Sequence, residues 1–325
     1  MPHSFKLSRR IARFRAAGIC ALLFAFAGCG DSFDPDSSTL ADPISQLSDN
    51  SAVEAVPLDG VSLASASYAG GIPFGAFALP NTEVGSTYNG VQRNIWPNYL
   101  LKNLATIKSR GGKVALMFAG PEKYYKDSNG RFSLSKWKAR IDQYKGLNFD
   151  SYIEDGTIIG HYLIDEPQDS KNWAGTRVSQ ATLEEMARYS KQRWPKMTTI
   201  VRTWPDYLDD WSGKYVYLDA AWAQYAANRF PNPDTFISTN VSKAKAKGLA
   251  LIVGLNLRDG SPSKGNMSAS QVKTYGSALL SNSYPCAFLS WKYDEKYLST
   301  SAMRDAMRTL RNKAQSRAFK SCKGA

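Results

Sequence analysis

From about residue 68 onward, the chain alternates short apolar runs with longer segments whose apolar residues recur every three or four positions. The apolar runs are mostly continuous, without regular polar alternation, which is typical of parallel strands covered on both faces. Seven runs stand out: Phe74–Leu79, Lys113–Ala119, Thr157–Ile164, Thr198–Trp204, Tyr215–Trp222, Leu249–Asn256 and Cys286–Trp291. Their alternation with helix-length segments predicts a parallel α/β fold.

The intervening segments carry helix signals. One apolar stripe joins Leu100, Leu101, Leu104 and Ile107, a capping box at Thr182 opens a second helix, and Met303, Met307, Leu310 and Ala314 line the last helix. No glycine-rich nucleotide loop follows any apolar run, which argues against a Rossmann domain. We therefore predict an α/β fold of the (β/α)8 TIM-barrel type with one strand irregular or missing, and an open doubly wound sheet as the alternative.

The N-terminal part of the chain has a different pattern. Residues 1–28 combine five basic residues with an apolar run that is too short to span a bilayer, as in an export signal. The run ends at Phe26-Ala27-Gly28-Cys29, which resembles the bacterial lipobox and implies a lipid on Cys29. We expect a monomer anchored by this lipid in the bacterial cell envelope, and a plain secretory signal is the alternative.

Residues 29–67 contain seven acidic residues and no Lys or Arg, and they are rich in Ser, Asp and Ala. This composition predicts a disordered acidic tether. The remaining domain, residues 68–325, has 36 basic and 21 acidic side chains, a formal charge of +15. Nucleic acid is not the expected partner of an exported protein. A polyanionic glycan, an anionic envelope surface, lipid phosphates and a solvated surface without a specific ligand remain open.

Two cysteines remain once the signal and the lipid site are set aside. Cys286 begins the last predicted strand, and Cys322 lies just past the helix that returns from that strand. Chain direction therefore brings both sulfur atoms to the same end of the barrel. In an oxidising compartment this predicts a disulfide, and two unrelated thiols are the alternative.

Carboxylates, amides, arginines and aromatic rings follow the predicted strands. The C-terminal ends of barrel strands form one rim, where the chemistry of TIM barrels lies. Apolar faces of sugars stack on aromatic rings while their hydroxyls bind carboxylates and amides, so the rim predicts a carbohydrate site. The ends supply Pro121-Glu122, Asp165, Glu166, Arg202, Trp204, Asp219, Trp222, Gln224, Asn256, Arg258, Asp259, Trp291, Tyr293 and Asp294.

One of these ends carries a resemblance to a known family. The pattern of Gly160 followed by Asp165-Glu166-Pro167 resembles the Asp-Glu-Pro or Asn-Glu-Pro signature of (β/α)-barrel glycoside hydrolases. The stretches YLDAAWAQY, LIVGLNLRDG and YPCAFLSWKYD are similar to those of an uncharacterised group of bacterial barrel lipoproteins. This resemblance covers roughly residues 70–322.

The resemblance implies that Glu166 is the catalytic acid/base and Asp165 its neighbour in substrate contact or pKa tuning. The large retaining clan also has a nucleophilic Glu at the end of a late strand, and neither Leu249–Asn256 nor Cys286–Trp291 ends in one. Asp219, Asp259 and Asp294 are the available substitutes. A carboxyl separation of about 5–5.5 Å predicts retention, and one of about 6.5–9.5 Å predicts inversion.

Each assignment has a structural alternative. Asp165 and Glu166 could form salt bridges with Arg202 or Arg258, Asp219 could be a buried partner of a backbone amide, Asp294 a solvated loop acid, and Trp222 and Trp291 packing residues. His161 is more readily explained as a hydrogen-bonded core residue. It is the only histidine after residue 28, which argues against a Ser-His-Asp hydrolase and a multi-histidine metal site. No cofactor or metal is predicted.

Strand alternation also predicts the sides of the strand on which the two acids lie. It places Gly160, Tyr162, Ile164 and Glu166 on one side of the strand, which we assign to the barrel interior, and Asp165 on the other side. Burial at the mouth should raise the pKa of Glu166, as a general acid requires. The resulting prediction is a glycoside hydrolase with Glu166, Asp165, Asp219 and Asp294 as catalytic candidates. A carbohydrate-binding lipoprotein without catalysis and an envelope-assembly protein are the alternatives.

Overall fold

The computed structural model describes residues 71–324, and within them eight parallel strands close into a barrel in chain order. Closure is made by β1 pairing with β8, for example Gly75 opposite Leu289. The chain is a (β/α)8 barrel. The strands are β1 (Phe74–Phe77), β2 (Gly90–Arg93), β3 (Lys113–Leu116), β4 (Ile158–Asp165), β5 (Thr199–Arg202), β6 (Ala220–Tyr225), β7 (Ala250–Leu255) and β8 (Ala287–Ser290).

Helices surround the barrel and return the chain from the C-terminal rim to the opposite end. They are α1 (Pro97–Ser109), α2 (Leu134–Ile141), α3 (Asp150–Glu154), α4 (Gln180–Arg193), α5 (Pro205–Leu208), α6 (Pro233–Ala246), α7 (Ala269–Ser281), α8 (Glu295–Leu298) and α9 (Ser301–Gln315). Short 3-10 helices span Asn81–Glu83, Glu122–Tyr124, Asp142–Tyr144 and Ser170–Trp173. Across residues 71–324, every helix falls short of the length and apolar content that a bilayer crossing requires.

The strand that the sequence pattern did not show is β2, which reads GVQR. Val91 packs in the layer between barrel and helices, while Gln92 is buried although it is polar. A four-residue strand with a single large apolar side chain has too little apolar character to be recognised from its sequence. The strand is nevertheless complete, and it pairs with β1 on one side and β3 on the other.

The core has two layers. The larger one lies between the strands and the helices, and it includes the predicted stripe residues Leu100, Leu104 and Ile107, whereas Leu101 is exposed. The smaller one fills the barrel itself. Its members are Phe77, Ala115, Tyr162, Ile200, Ala220, Trp222, Ala250, Ile252, Cys286, Ala287, Leu289 and Cys322. The barrel is therefore a packed core rather than a channel.

Two predicted boundaries are wrong. Helix α4 begins at Gln180, because Ser179 accepts a hydrogen bond from the backbone N–H of Thr182 and caps the helix earlier than expected. The run starting at Tyr215 enters the sheet only at Ala220. The carboxylate of Glu184 accepts hydrogen bonds from three successive backbone N–H groups, those of residues 216, 217 and 218, so this segment is held outside the strand.

The predicted disulfide between Cys286 and Cys322 is confirmed, with the two Cα atoms 5.2 Å apart. Cys286 immediately precedes β8, and Cys322 follows α9, so the bond lies at the N-terminal end of the barrel. Both cysteines are buried and belong to the interior layer. The predicted signal (residues 1–28), the lipid site at Cys29 and the tether (residues 29–67) lie outside the described residues.

The disulfide closes a loop with a sequence separation of 36 residues. We expect the double substitution Cys286→Ser and Cys322→Ser to lower the free energy of unfolding by about 4 kcal/mol, because the unfolded chain regains the conformational entropy that the cross-link removes. Urea denaturation followed by tryptophan fluorescence measures this difference. Reduction of the unsubstituted protein should reproduce the loss, and an unchanged midpoint in both experiments would contradict the prediction.

Candidate functional site at the C-terminal rim

The end of β4 departs from regular strand geometry. The pairing of β4 with β5 shifts by one residue between Tyr162 and Asp165, so β4 contains a bulge. Tyr162 faces the interior layer, but Ile164 packs in the outer layer, which corrects the predicted alternation. The extra residue instead places Asp165 beside Arg202 at the mouth of the barrel.

Glu166 reaches the same mouth because of its backbone conformation. Its backbone adopts a positive φ of 38°, a conformation that is uncommon for residues other than glycine. Its N–H donates to the carbonyl of Arg202, and its own carbonyl accepts from the N–H of Asp169. Pro167 has no N–H to continue the ladder, so the chain leaves the sheet here. The bulge and this left-handed residue together bring two adjacent carboxylates to one side.

Arg202 binds both acids. Its Nε donates to Asp165 Oδ1, and its Nη2 lies 3.3 Å from Glu166 Oε1. Burial by itself would lower the pKa of Arg202, but the carboxylates of Asp165 and Glu166 outweigh it and raise the pKa above its usual value. The guanidinium also lies 4.9 Å from the ring centroid of Trp291, within the range of a cation–π contact. The salt bridge foreseen as a structural alternative is therefore present.

The pKa of Glu166 is raised in spite of this salt bridge. Burial raises the pKa of its carboxyl, the charge of Arg202 partly opposes that rise, and the charge of Asp165 adds to it. The side chain is 32% exposed, so it remains accessible from the mouth. A raised pKa and access to solvent suit this carboxyl to the role of a proton donor.

Glu122 is a third acid at this rim; the sequence placed it at a strand end but did not mark it as a catalytic candidate. It lies in the 3-10 helix after β3, where Lys126 Nζ contacts its carboxylate at 3.0 Å. Burial raises the pKa of Glu122 to about 7; Lys126 lowers it, while the negative charges of Asp165 and Glu166 raise it further. Its position after a predicted strand was the one available signal, but five residues separate it from the end of β3 and no motif marks it.

A small cavity lies beside Glu166. Its volume is about 20 Å³, and it is lined by Glu166, Gln168, Arg202, Thr203, Trp204, Trp222 and Gln224. This volume admits about one water molecule and no sugar ring. The side-chain oxygens of Gln168 and Thr203 are buried, and neither has a hydrogen-bond partner within residues 71–324. Buried polar atoms are normally paired, so these two atoms mark a place for a polar ligand group.

Three of the predicted substrate residues are linked by hydrogen bonds at this cavity. Trp204 Nε1 donates to the carbonyl of Gln224, and the Gln224 side chain accepts from the N–H of Trp291. Trp204 and Trp291 are half-buried, and Trp204 lines the cavity. Trp222, by contrast, is fully buried and donates to the carbonyl of Leu289, so it is a packing residue and cannot stack on a sugar.

The remaining residues after β7 and β8 form the edge of the rim. Arg258 pairs with Asp294 at 2.5 Å, and Asp294 also caps α8 by accepting from the N–H of Tyr297. Asp259 is exposed in the loop after β7. Asn256 follows β7, and its side-chain oxygen is buried with no hydrogen-bond partner in the described part of the chain. Tyr293 packs partly buried against the outer core layer.

Asp219 lies at the opposite end of the barrel from Glu166, which corrects its prediction as a catalytic candidate. It precedes β6, so it lies where that strand begins. Its carboxylate accepts from the N–H of Thr199 and pairs with Lys191 at 2.6 Å. The structural alternative of a buried partner for a backbone amide holds for this residue.

His161 is likewise a core residue. Its Nδ1 lies 2.8 Å from the hydroxyl of Ser190, and burial lowers the pKa of the imidazole to about 3. Among residues 71–324, no three His, Cys, Asp or Glu side chains are arranged to hold a metal ion.

Comparison with known proteins bears on the fold. No protein-family model matches the sequence, and no curated protein matches it. A crystal structure of ScGas2 in complex with a compound superposes with a TM-score of 0.52 at 11% identity, over 80% of this chain and 70% of that chain. At such identity the similarity shows a shared barrel fold and assigns no activity.

Two further solved structures are similar at lower scores. A GH18 chitinase from Pseudoalteromonas aurantia has a TM-score of 0.46 at 14% identity, over 74% of this chain and 99% of that chain. Xylanase 10B from Thermotoga maritima has a TM-score of 0.47 at 10% identity, over 76% and 96% respectively.

Removal of the Arg202 charge tests the site. We expect Arg202→Met to lower the free energy of unfolding by about 3–5 kcal/mol at neutral pH, because two carboxylates lose their cation. The loss should shrink as pH falls, since the unpaired carboxyls then take up protons in the folded variant. Urea denaturation at neutral pH and at about pH 5 measures both effects. Arg188→Met, which breaks an exposed pair with Glu185, is the control and should change stability by about 1 kcal/mol or less.

Proposed function

We propose that the protein hydrolyses glycosidic bonds in a carbohydrate, with Glu166 donating the proton to the leaving oxygen. The observation that carries this proposal is the group of three carboxyls, Glu122, Asp165 and Glu166, at the C-terminal rim of the barrel. Two of them have pKa values raised by burial. The third, Asp165, forms an ion pair with a buried arginine. The resemblance of the Asp-Glu-Pro motif to barrel glycoside hydrolases supports the same role for Glu166.

Glu122 is the second carboxylate of the proposed mechanism. Asp219 lies at the far end of the barrel, and Asp294 lies at the edge of the rim beside Arg258, whereas Glu122 is close enough to Glu166 for the charge of Glu166 to act on it. In two-carboxylate hydrolysis one carboxyl protonates the glycosidic oxygen, while the other, ionised, acts on the sugar directly or through a water. Glu122 belongs to the loop after β3 and Glu166 to the end of β4, so they approach a substrate from neighbouring strands.

The negative charges of the two glutamates disfavour the state in which both are ionised. The negative charge of Glu166 raises the pKa of Glu122, and by reciprocity an ionised Glu122 favours the protonated form of Glu166. A pair that carries one proton would supply both the acid and the ionised carboxylate that the reaction needs.

The substrate would bind over the mouth, because the cavity beneath it admits only about one water. Trp204 and Trp291 offer partly exposed rings for sugar faces. Each ring also lies near a cation: the guanidinium of Arg229 is 5.7 Å from Trp204, and Lys292 Nζ is 5.9 Å from Trp291. Aromatic rings flanked by cations favour an anionic polysaccharide as the substrate class.

Carbohydrate binding without catalysis is the second candidate. Asn256 rather than an acid follows β7, and Arg202 already binds both Asp165 and Glu166. A binding protein of this kind would retain its affinity for glycans in the Glu166→Gln variant and would release no reducing sugar. The proposed hydrolase would release reducing sugar, and its Glu166→Gln variant would do so at least about 100-fold more slowly.

We also propose that Cys29 carries a lipid that anchors the protein in the bacterial cell envelope. The sequence Phe26-Ala27-Gly28-Cys29 supports this proposal through its resemblance to a lipobox. In bacteria that express the gene, the protein should fractionate with membranes, and Cys29→Ser should move it to the soluble fraction. Equal membrane association of both forms would contradict a lipid at this residue.

Glutamine substitutions test the hydrolase. On a polysaccharide found by a reducing-sugar screen, Glu166→Gln should lower kcat by at least about 100-fold, and Glu122→Gln should cause a comparable loss. In the unsubstituted enzyme, kcat/KM should fall above about pH 7, because Glu122 is then ionised and the pair of glutamates no longer retains its proton.

The matched control is Glu154→Gln. Glu154 is 52% exposed and pairs with Lys196 at the opposite end of the barrel, so its substitution should leave kcat within about two-fold. Near-full activity of Glu166→Gln on a true substrate would show that the ion pair with Arg202 is the whole role of this residue.

A further inference from the structure

The end of the barrel opposite the mouth carries a cluster of basic side chains around Tyr284. Lys320 Nζ lies 3.7 Å from the centroid of the Tyr284 ring, and Lys245 Nζ lies 5.1 Å from it. Arg317 is fixed beside them, because its Nη2 donates to the carbonyls of Ser283 and Pro285 at 2.6 and 2.7 Å. Three cations from α6 and from the segment after α9 are thus held together at one place.

The positive charges of Lys245, Arg317 and Lys320 repel one another in the isolated protein. The pKa of Lys320 is lowered, first by burial and then by the positive charges of Lys245 and Arg317. Within residues 71–324, none of the three has a carboxylate within 4.0 Å. A fixed cluster of like charges without a counter-charge favours binding of an external anion.

Carboxylates do occur at this end of the barrel, but other groups use them. Asp155 pairs with Lys108 at 2.7 Å, and Asp219 pairs with Lys191 at 2.6 Å. Glu184 accepts three hydrogen bonds from backbone N–H groups. The surface therefore keeps a positive excess that the protein does not neutralise in its described part.

The basic surface extends beyond the cluster and includes an exposed aromatic ring. Phe319 is 59% exposed, and Lys113 Nζ lies 5.6 Å from its ring centroid. We define the basic end of the barrel as Lys113, Lys214, Lys245, Arg317, Lys320 and Lys323. An exposed aromatic residue among basic ones is the composition of surfaces that adsorb to lipid headgroups, where the cations meet phosphates and the ring enters the interface.

The path of the chain points to the same partner. The N–H of Ile72 donates to the carbonyl of Ala314 at 3.1 Å, and Gly71 lies against Gln315 at the end of α9. The 70 preceding residues therefore join the barrel two residues from Arg317. The lipid proposed for Cys29 would therefore be connected to the barrel through a residue at its basic end.

We propose that the basic end of the barrel binds an anionic phospholipid surface, with the mouth directed away from the bilayer. Each Lys or Arg close to an anionic bilayer strengthens binding by roughly five-fold. This interaction does not depend on the activity of the mouth, so it can fail or hold independently of the proposed hydrolase.

The test uses the chain from Gly30 to its end, which keeps every described residue and lacks both the predicted signal and the predicted lipid site. It should sediment with vesicles that contain phosphatidylglycerol and phosphatidylcholine, and not with vesicles of phosphatidylcholine alone. High salt should weaken this binding, because exposed charges are screened over about 8–10 Å at physiological ionic strength. Absence of binding to the phosphatidylglycerol vesicles at low salt would overturn the proposal.

Charge variants locate the surface. Lys245→Gln, Lys320→Gln and Lys323→Gln combined should weaken vesicle binding by about 100-fold, from roughly five-fold for each lost charge. Arg317 is kept because its hydrogen bonds hold the segment after α9. The matched control combines Lys102→Gln, Lys273→Gln and Lys296→Gln, which are exposed on α1, α7 and α8.

The control should retain at least about a fifth of the vesicle affinity, and both variants should keep the far-ultraviolet circular dichroism of the parent. Equal losses in the two variants would show a general charge effect and overturn the proposal. A parent that binds polygalacturonate through Lys245, Lys320 and Lys323, and no vesicles, would identify the surface as a glycan site and also overturn it.

Discussion

Closure of the sheet between β1 and β8 is the constraint on which the other features of this protein depend. Eight parallel strands in chain order leave no free edge, and they bring all strand C-termini to one rim. Residues far apart in sequence, such as Arg202 and Trp291, come into contact there because the sheet closes. The same closure brings Cys286 and Cys322 together at the other end.

Arg202 is the main organising group of the rim. It is a buried cation that binds Asp165 and Glu166 and packs against Trp291, so it fixes the acids and one aromatic ring in a single arrangement. A buried charge of this kind is tolerated because its hydrogen bonds and partner charges replace water. The arrangement explains how Asp165 can form an ion pair while Glu166, one residue later, keeps a raised pKa and access to solvent.

The two ends of the barrel have opposite character. The mouth carries a group of acids, two of which have raised pKa values, while the far end carries cations without carboxylate partners in the described residues. The N-terminal part of the chain joins the cationic end. This division places the proposed chemistry and the proposed surface contact on opposite sides of the barrel, so that one does not obstruct the other.

The sequence by itself determined the α/β class, seven of the eight strands and the disulfide. Apolar runs and chain direction can be read from the sequence directly. A parallel strand that is buried on both faces appears as a continuous apolar run. It also identified Asp165, Glu166 and Arg202 as rim residues, because each stands at the end of such a run. The short strand β2 was not predicted, because Gly90 and Gln92 give it little apolar character.

Only the tertiary structure decided where strands begin and which side chains meet. Asp219 belongs to the far end because β6 begins only at Ala220, and the backbone N–H groups of residues 216–218 are bound by Glu184 instead of by a neighbouring strand. The bulge in β4 and the left-handed backbone of Glu166 turn both acids to the mouth, against the alternation that the sequence implied. Glu122 lies at the same rim because of the conformation of the segment that follows β3. These outcomes depend on contacts between residues distant in sequence, which no local pattern encodes.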